Sequence, residues 1–220
     1  MISVIIPSLD RPQRLISCLT SLQKYSKGSV EVVVILDGED KSSLEAVTDF
    51  ATKGVTIPIT VRILKDHPTP IEKWNHGAKH SKGGWIMLAA DDIVFTQEWD
   101  IVSLATPNHG FLALRDTVQL DRWFEPHYMA TRGWLKQFNG GVLACPHYKH
   151  WCPDTEIAQR AYRAGHYKVS EAIIPHNHII WGTAPNDATY DRAKPYHNTD
   201  LKLFNERMSK SFPNDYEGYL

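Results

Sequence analysis

Short runs of apolar residues, each ending in polar or turn residues, recur along the first half of the chain. Runs of this kind that are rich in β-branched residues are typical of buried strands. The sequence predicts such strands at residues 2–6, 30–36, 61–64 and 85–89. The first run ends at Pro7, the second at Asp37, and the fourth just before Asp91 and Asp92.

Segments with helical periodicity follow the first three predicted strands. Leucines and isoleucines at helical spacing predict helices at residues 11–25 and 71–82, and a third helical stretch extends to Ala51. Asp10 is a candidate N-cap of the first helix, with Pro12 in its first turn. Because strands alternate with helices, the pattern predicts a doubly wound α/β fold with a mostly parallel sheet.

The second half of the chain has a different composition. Residues 111–152 are rich in aromatic residues and histidine and have weak periodicity, which favours loops and short strands. A helix is predicted at residues 153–167, with Gly165 near its C-terminal end, and a short strand at residues 169–174. We expect a strand-rich half at residues 1–105, a smaller loop-rich half at 106–181, and a tail or lid at 182–220.

The composition excludes several classes of protein. With 24 basic and 25 acidic residues the formal net charge is −1, so no global attraction to nucleic acid or to an anionic membrane is expected. No segment reaches the ~18–20 apolar residues of a membrane span, and the N-terminus lacks the basic region of a secretory signal. The three cysteines lack metal-site spacing and fit reduced thiols. We expect a soluble, cytoplasmic protein with no membrane span.

The polar residues at the strand ends are the candidate chemical groups. Since the carboxyl ends of parallel strands share one edge of an open α/β sheet, the residues after Pro7, Asp37 and the Asp91–Asp92 pair should line one crevice. Paired carboxylates at such an edge can hold a divalent cation against a phosphate. The structural alternative is that two adjacent aspartates only open a turn or cap a helix.

These motifs, in this order, resemble the family 2 glycosyltransferases, which have a nucleotide-binding GT-A fold. The resemblance rests on VIIPSLDRP at the first strand, VVVILDGED at the second, the block from Asn75-x-Gly77 through GGWI to Asp91-Asp92, Asp154-Thr155-Glu156 before a helix, and a later His-x-His. It extends over residues 2–180. Where the family often has Asp-x-Asp at the fourth strand, the first of those positions is Ala90 here. The resemblance implies that residues 1–105 bind a nucleotide sugar and that 106–181 form the acceptor and catalytic half.

The resemblance implies a metal cofactor, Mn²⁺ or Mg²⁺, that neutralises the departing diphosphate. Asp92 is the expected main ligand, and Asp91 is expected to contact the metal or the ribose. His178, or alternatively His176, would complete the coordination sphere, and an imidazole ligand favours Mn²⁺. The alternative for both histidines is ordinary polarity at a strand end.

The same resemblance assigns a donor site to the first two strand ends. Asp37 is similar to the family acid that accepts a hydrogen bond from the nucleotide base, which favours a UDP or dTDP donor. Pro7, Ser8 and Asp10 would frame the base and ribose, and Asn75 belongs to the donor-side motif. Two structural alternatives remain, a turn at Asp37-Gly38 and the helix cap at Asp10.

An inverting transfer needs a base that takes the proton from the acceptor hydroxyl. Asp154 matches the family position for that base, and Glu156 is the second candidate. The alternative is that Asp154 or Thr155 only caps the following helix, although a capping role and a catalytic role are compatible.

The acceptor is left open by the sequence. An aromatic group before Asp154 could stack on a sugar or a base, or could simply be core: Trp123, Phe124, His127, Tyr128, Trp134 and Trp151. The expected partners are a nucleotide-sugar donor and a glycan, lipid-linked saccharide, protein or hydroxymethylated DNA as acceptor. Two alternatives keep the fold: a nucleotidyltransferase, for which Arg11 is the only basic candidate in the first loop, and an inactive nucleotide-binding module.

Overall fold

The computed structural model describes residues 1–117, 124–179 and 182–216, and these form a seven-stranded sheet with helices on both faces. The strands are β1 Ile2–Pro7, β2 Val30–Asp37, β3 Ile59–Leu64, β4 Trp85–Leu88, β5 Phe111–Arg115, β6 His127–Thr131 and β7 Val169–Ile173. The helices are α1 Pro12–Tyr25, α2 Lys41–Ala51, α3 Pro70–Lys79, α4 Trp99–Ala105, α5 Arg132–Phe138, α6 Pro153–Arg163, α7 Ala188–Ala193 and α8 His197–Ser209. A short 3-10 helix, Lys194–Tyr196, joins the last two.

The sheet has the strand order β3-β2-β1-β4-β6-β5-β7. β1 pairs in parallel with β2 and β4, and β2 pairs in parallel with β3. β6 is antiparallel to both of its neighbours, β4 and β5, whereas β5 and β7 are parallel. The expected α/β fold with a mostly parallel sheet is therefore confirmed, and the ends of β1, β2 and β4 meet at one edge.

The central strands are buried on both faces, which explains their continuous apolar sequences. All six residues of β1 and all eight of β2 are buried. Alternate residues of β1 enter different clusters: Val4 packs with Leu15 and Leu19 of α1, whereas Ile5 packs with Ile71 of α3. The sheet thus forms a rigid floor for whatever lies at its carboxyl edge.

A glycine permits the close contact between α3 and β1. A Cβ atom at Gly77 would collide with Cγ2 of Ile5 and would lie 3.3 Å from Cγ1 of Ile35. Gly77 of the Asn75-x-Gly77 motif therefore has a packing role. α3 begins with a capping box formed by Thr69 and Glu72.

Several predicted details are wrong. Asp10 does not cap α1, because its φ is +55° and Arg11 occupies the N-cap position with no side-chain capping bond. Likewise, Cys152 at φ +72° occupies the N-cap of α6, so neither Asp154 nor Thr155 caps that helix. The helix predicted at 71–82 ends three residues earlier, at Lys79.

Three regions hold helices that the periodicity did not predict, and one of them is α5, Arg132–Phe138, within the stretch expected to form loops and short strands. α4 spans seven residues and follows Glu98, whose φ is +55°. The segment 182–216, expected to be a tail or lid, contains α7 and α8, and Phe204 and Phe212 pack into the core on the α3 side of the sheet. Within the described residues, no helix is both long and apolar enough to cross a bilayer.

Candidate active site

A cavity of about 710 Å³ opens at the carboxyl edge of the sheet. This volume lies within the ~300–1,000 Å³ typical of small-molecule sites. Its lining comes from seven places in the sequence: the β1–α1 loop, the end of β2 and the residues after it, the β3–α3 loop with the start of α3, the end of β4 with the acid pair after it, Pro126 and His127, the residues around the start of α6, and the segment from His176 to Tyr196. The strand-end residues that the sequence placed in one crevice, including Pro7, Ser8, Asp10 and Asp37, do line it together.

Asp91 and Asp92 lie side by side, 4% and 6% exposed. Asp91 accepts hydrogen bonds from Oγ of Ser8 at 2.7 Å and from Nη1 of Arg11 at 3.1 Å. Burial and the charge of Asp92 raise the pKa of Asp91 to about 6, although Arg11 opposes the shift. Burial also acts on Asp92, but His176 and Arg11 outweigh it and hold its pKa below the usual range. Asp92 is therefore the carboxylate that stays ionised.

The two histidines of the His-x-His motif have different surroundings. Nε2 of His176 lies 3.3 Å from Oδ1 of Asp92, and its Nδ1 lies 3.6 Å from Oδ2 of Asp116. Burial lowers the pKa of His176, but the two carboxylates outweigh it and raise the pKa to about 9. His178 instead stacks edge-on against Tyr190 at 4.8 Å, and burial together with His176 lowers its pKa to about 4. The histidine in contact with the acid pair is thus His176.

The acid pair fits a divalent cation only in part. Among the described residues, no group of three or more His, Cys, Asp or Glu side chains is arranged to hold a metal ion. However, Oδ1 of Asp92 is buried without a hydrogen-bond donor in good geometry. Because Mg²⁺-type ions are often bound by one or two carboxylates and completed by substrate phosphates, the pair suits half of such a site.

Asp37 lies in the cavity wall, but it is not an isolated acceptor. It forms an ion pair with Lys73 of α3, and both side chains are nearly fully buried, at 4% and 3% exposed. Nζ of Lys73 also donates to the carbonyl oxygen of Ser8 at 3.2 Å. Lys73 therefore ties the ends of β1 and β2 together and neutralises the acid that was expected to recognise the base.

Asn75 lies outside the cavity lining, in contrast to its predicted donor-side role. Its Oδ1 accepts the amides of Leu143 at 3.0 Å and Ala144 at 2.9 Å, and its Nδ2 donates to the carbonyl of Ala144 at 2.7 Å. Asn75 thus joins α3 to the loop before α6. Asn75 therefore has a structural role in this chain.

Asp154 lines the cavity at the first turn of α6. Its Oδ1 accepts the amide of Thr155 at 2.8 Å, and burial raises its pKa above the usual aspartate range. Nearby, three successive amides, those of Lys149, His150 and Trp151, converge on the carboxylate of Asp200 of α8 at 2.8–3.3 Å. This convergence sets the shape of the loop that leads into Asp154.

Glu156 does not reach the cavity and cannot serve as a second base there. Its side chain is 0% exposed and accepts hydrogen bonds from Oη of Tyr148 at 2.7 Å and from the guanidinium groups of Arg160 and Arg207. Two arginines and a tyrosine hold its pKa low despite burial. Glu156 is a structural anchor between α6 and α8.

Several cavity residues were missed or only partly foreseen. Tyr190 of α7 donates to Oδ2 of Asp92 at 2.9 Å, and Asp187 forms an ion pair with Arg11. Of the predicted aromatic group, His127 and Trp151 line the cavity, Tyr128 and Trp134 are buried in the core, and Trp123 lies outside the described residues. Phe124 packs edge-on against Tyr167 instead.

The fold is shared with solved glycosyltransferase structures. A mannosyltransferase from Pyrobaculum calidifontis, solved with GDP-Man and Mn²⁺, superposes with a TM-score of 0.66 at 13% identity, covering 80% of this chain and 56% of that one. TarS 1–349 of S. aureus gives a TM-score of 0.64 at 18% identity, covering 80% and 60%. Glucosyl-3-phosphoglycerate synthase of Mycobacterium tuberculosis, solved with Mn²⁺ and UDP-glucose, gives 0.58 at 13% identity, covering 81% and 72%.

Sequence comparison identifies the family. An uncharacterized glycosyltransferase of Haemophilus influenzae is 31% identical over 98 residues, which is 44% of this chain and 31% of that protein. The chain thus spans under a third of that curated relative and little more than half of the first solved structure. The family model described as Glycosyl transferase family 2 matches residues 3–139. Since this match covers more than half of the chain, the protein belongs to glycosyl transferase family 2, and its fold is of the GT-A type.

Proposed function

We propose that the protein is a metal-dependent, inverting glycosyltransferase that moves a sugar from a nucleoside diphosphate to an acceptor hydroxyl. One observation carries the proposal: the buried Asp91–Asp92 pair and Asp154 line the same cavity at the carboxyl edge of the sheet. A cation site for a leaving diphosphate and a carboxylate for an attacking hydroxyl are the two groups that such a transfer needs.

The donor that we propose is a UDP-sugar. TarS has been solved with UDP-GlcNAc and the mycobacterial synthase with UDP-glucose, whereas the archaeal mannosyltransferase was solved with GDP-Man. Pro7, Ser8 and Asp10 of the β1–α1 loop would frame the base and ribose. Asp37 would accept an N–H of the base with the oxygen that Lys73 leaves available. The half at residues 1–105 is then the donor half.

Mn²⁺ is the proposed metal, with Mg²⁺ as the second choice. Asp92 would be the main ligand because it stays ionised, and Asp91 would contact the metal or the ribose. The imidazole ligand would come from His176, which already contacts Asp92, or from His178 if the segment that carries Tyr190 moves. When bound, the cation would supply positive charge against the leaving diphosphate.

Asp154 is the proposed base. It lines the cavity, and its raised pKa makes the carboxylate more basic than an exposed aspartate. Glu156 is excluded from this role by its burial between two arginines. The acceptor would enter beside Trp151 and Tyr196, whose rings suit stacking on a saccharide, so we propose a sugar-containing acceptor.

The two alternatives fit the site less well. A nucleotidyltransferase needs a glycine-rich first loop with basic residues for a triphosphate, but the β1–α1 loop, from Ser8 to Arg11, has no glycine and no lysine. An inactive nucleotide-binding module would not need Asp154 in the cavity wall. Metal-dependent hydrolysis of a UDP-sugar distinguishes the proposed transferase from the inactive module, because an enzyme turns the donor over and a binding module does not.

The test is calorimetric titration of UDP into the protein with and without Mn²⁺. We expect binding that requires Mn²⁺ and that is lost in the Asp92→Asn and Asp37→Asn variants. Asp49→Asn is the matched control, because Asp49 is an exposed acid on α2 that pairs with Lys53. If neither UDP, dTDP nor GDP binds under any metal condition, the proposal fails.

A further inference from the structure

Arg11 lines the cavity, and its guanidinium group lies within 4 Å of the carboxylates of Asp91, Asp92 and Asp187. Its side chain is 9% exposed, and Nη1 lies 3.1 Å from Asp91 and 3.7 Å from Asp92. Its guanidinium carbon lies 4.3 Å from the ring centroid of Tyr190. A fixed cation of this kind lies where the diphosphate of a donor held by the acid pair would come.

The remaining edge of Arg11 is held by Asp187 through two parallel hydrogen bonds. Nε donates to Oδ2 at 3.0 Å, and Nη2 donates to Oδ1 at 2.8 Å. Arginine makes this fork with carboxylates and with phosphates alike, because both present two coplanar oxygens at matching spacing. The carboxylate of Asp187 therefore contacts Arg11 in the same arrangement that a phosphate group would adopt.

The surroundings of the fork favour an anion independently of Asp187. Arg14, one turn further along α1, lies 3.4 Å from Asp187 and donates to Oη of Tyr190 at 3.0 Å. The first turn of α1 contains no acidic residue, and no side chain caps it. Two guanidinium groups from the start of α1 thus face the same position.

Asp187 is also the more exchangeable of the Arg11 partners. Its side chain is 28% exposed, whereas Asp91 and Asp92 are 4% exposed at their side chains. Asp187 lies at the N-cap of α7, a helix of only six residues, where it accepts the amides of Thr189 and Tyr190. Loss of the fork therefore requires motion of a short surface segment and no change in the core.

On the proposed function, we propose that Arg11 is a diphosphate-binding residue and that Asp187 occupies its phosphate site until the donor displaces it. In the donor complex the fork of Arg11 would hold a phosphate, with Arg14 beside it, and Asp187 would turn to solvent. The carboxylate of Asp187 thus competes with the donor phosphate for Arg11. No covalent bond changes in this exchange.

The test compares UDP and uridine binding, both with Mn²⁺, in Asp187→Asn, Arg11→Lys and the unsubstituted protein. Asn keeps the N-cap of α7 and removes the competing charge. We expect Asp187→Asn to tighten UDP binding by about threefold to tenfold and to leave uridine binding unchanged. Arg11→Lys keeps the charge but loses the fork, so UDP binding should weaken by about tenfold or more. Asp191→Asn, on the exposed side of α7, is the control and should bind UDP as the unsubstituted protein does.

The outcomes separate this inference from the proposed function. If the unsubstituted protein does not bind UDP, the proposed function is wrong. If it binds UDP but Asp187→Asn binds it equally or more weakly, the exchange is wrong. Equal affinity of Arg11→Lys and the unsubstituted protein for UDP would remove Arg11 from the phosphate site. Equal tightening of uridine and UDP in Asp187→Asn would also overturn the exchange, because uridine has no phosphate.

Discussion

The two sides of the cavity are held in place by different forces. Its floor, built on β1, β2 and β4, rests on strands whose two faces are buried in apolar clusters. Its roof, the segment 182–216, is held in two ways: ion pairs such as Arg11–Asp187 and Arg192–Asp10 join its α7 end to the floor, whereas Phe204 and Phe212 pack its later part into the core. Apolar packing is lost only by unfolding, whereas an exposed ion pair can change partners. The floor is therefore held more firmly than the α7 end of the roof.

The roof itself contains two kinds of ion pair. Arg207 of α8 is 4% exposed and meets Glu156, which is 1% exposed at its side chain. Arg192 and Asp10, which connect α7 to the β1–α1 loop, are 53% and 48% exposed. Burial makes the first pair a permanent anchor, because separation would leave an unpaired charge inside the protein. α8 is therefore the more firmly anchored part of the roof, and the pair between α7 and the β1–α1 loop is the more exposed one.

Removing the buried anchor should have the largest effect. We expect Arg207→Met to lower the free energy of unfolding by about 3 kcal/mol, because Glu156 would lose its closest interhelical cation. Urea denaturation measures the change. Lys53→Met, which breaks an exposed pair with Asp49 on α2, should cost no more than about 0.5 kcal/mol. Equal losses in the two variants would remove the distinction between anchor and surface pair.

The apolar floor is tested by adding one methyl group. Gly77→Ala places a Cβ against Ile5 and Ile35, where the strand cannot move away, so we expect a loss of about 2 kcal/mol in the free energy of unfolding. Gly84→Ala is the matched control, because a Cβ there meets no atom within 4 Å. If both substitutions are tolerated equally in urea denaturation, the floor is less closely packed than its geometry indicates.

Acid should weaken the loop that leads into α6 and that Asp200 of α8 holds in place. Burial lowers the pKa of His150 to about 4, against about 6.5 when unfolded, although Asp200 opposes the shift. Between these values the unfolded chain binds more protons, so this contribution to stability is complete above pH 6.5 and declines as the pH falls toward 4. We expect a loss of about 1 kcal/mol at pH 5.5 from this residue.

The measurement is the free energy of unfolding at pH 7.5 and pH 5.5, with hydrogen exchange to locate the weakened region. His150→Gln should reduce the difference between the two pH values, and substitution of the exposed His109 should not. A pH dependence that is identical in the two variants would exclude His150 as its source.

Salt should produce the smallest effect, and it should raise amide exchange in α7 more than in α8. At ~1 M NaCl the screening length falls to ~3 Å, so exposed pairs weaken while buried pairs do not. We expect amide exchange of residues 187–193 to rise about threefold, with little change in α8. Arg192→Gln, which removes one of the exposed pairs, should make α7 less sensitive to salt. Equal acceleration of α7 and α8 would mean that the roof moves as one unit.

The floor could be predicted closely from the sequence, because local patterns determine it. The run predicted as a strand at 30–36 is observed as Val30–Asp37, and the first predicted helix is observed as Pro12–Tyr25. The pattern failed where a helix is short or polar. α4 has seven residues and α7 has six, and neither shows a clear apolar period.

In the candidate site, too, some residues could be predicted from local motifs and others could not. Asp91, Asp92 and Asp154 were placed by motif, and all three line the cavity. The roles of Asn75 and Glu156 depend on contacts 68 and 51 residues away, which no local pattern contains. The spacing of Glu156 and Arg160, four residues apart on a helix, is the one signal that favours an ion pair over a free base.

The carboxylate of Asp200 holds the loop before α6 through the backbone of that loop. Three successive amides before α6 converge on this one distant carboxylate, and Nε1 of Trp151 adds a hydrogen bond to the carbonyl oxygen of Ala193 at 2.9 Å. Among Lys149, His150 and Trp151, the exposed side chain of Lys149 is therefore the one that can vary with the least effect on the shape of the loop. Lys149, which also lines the cavity, is thus a position where a new side chain could be introduced while Asp200 of α8 keeps the path of the loop unchanged.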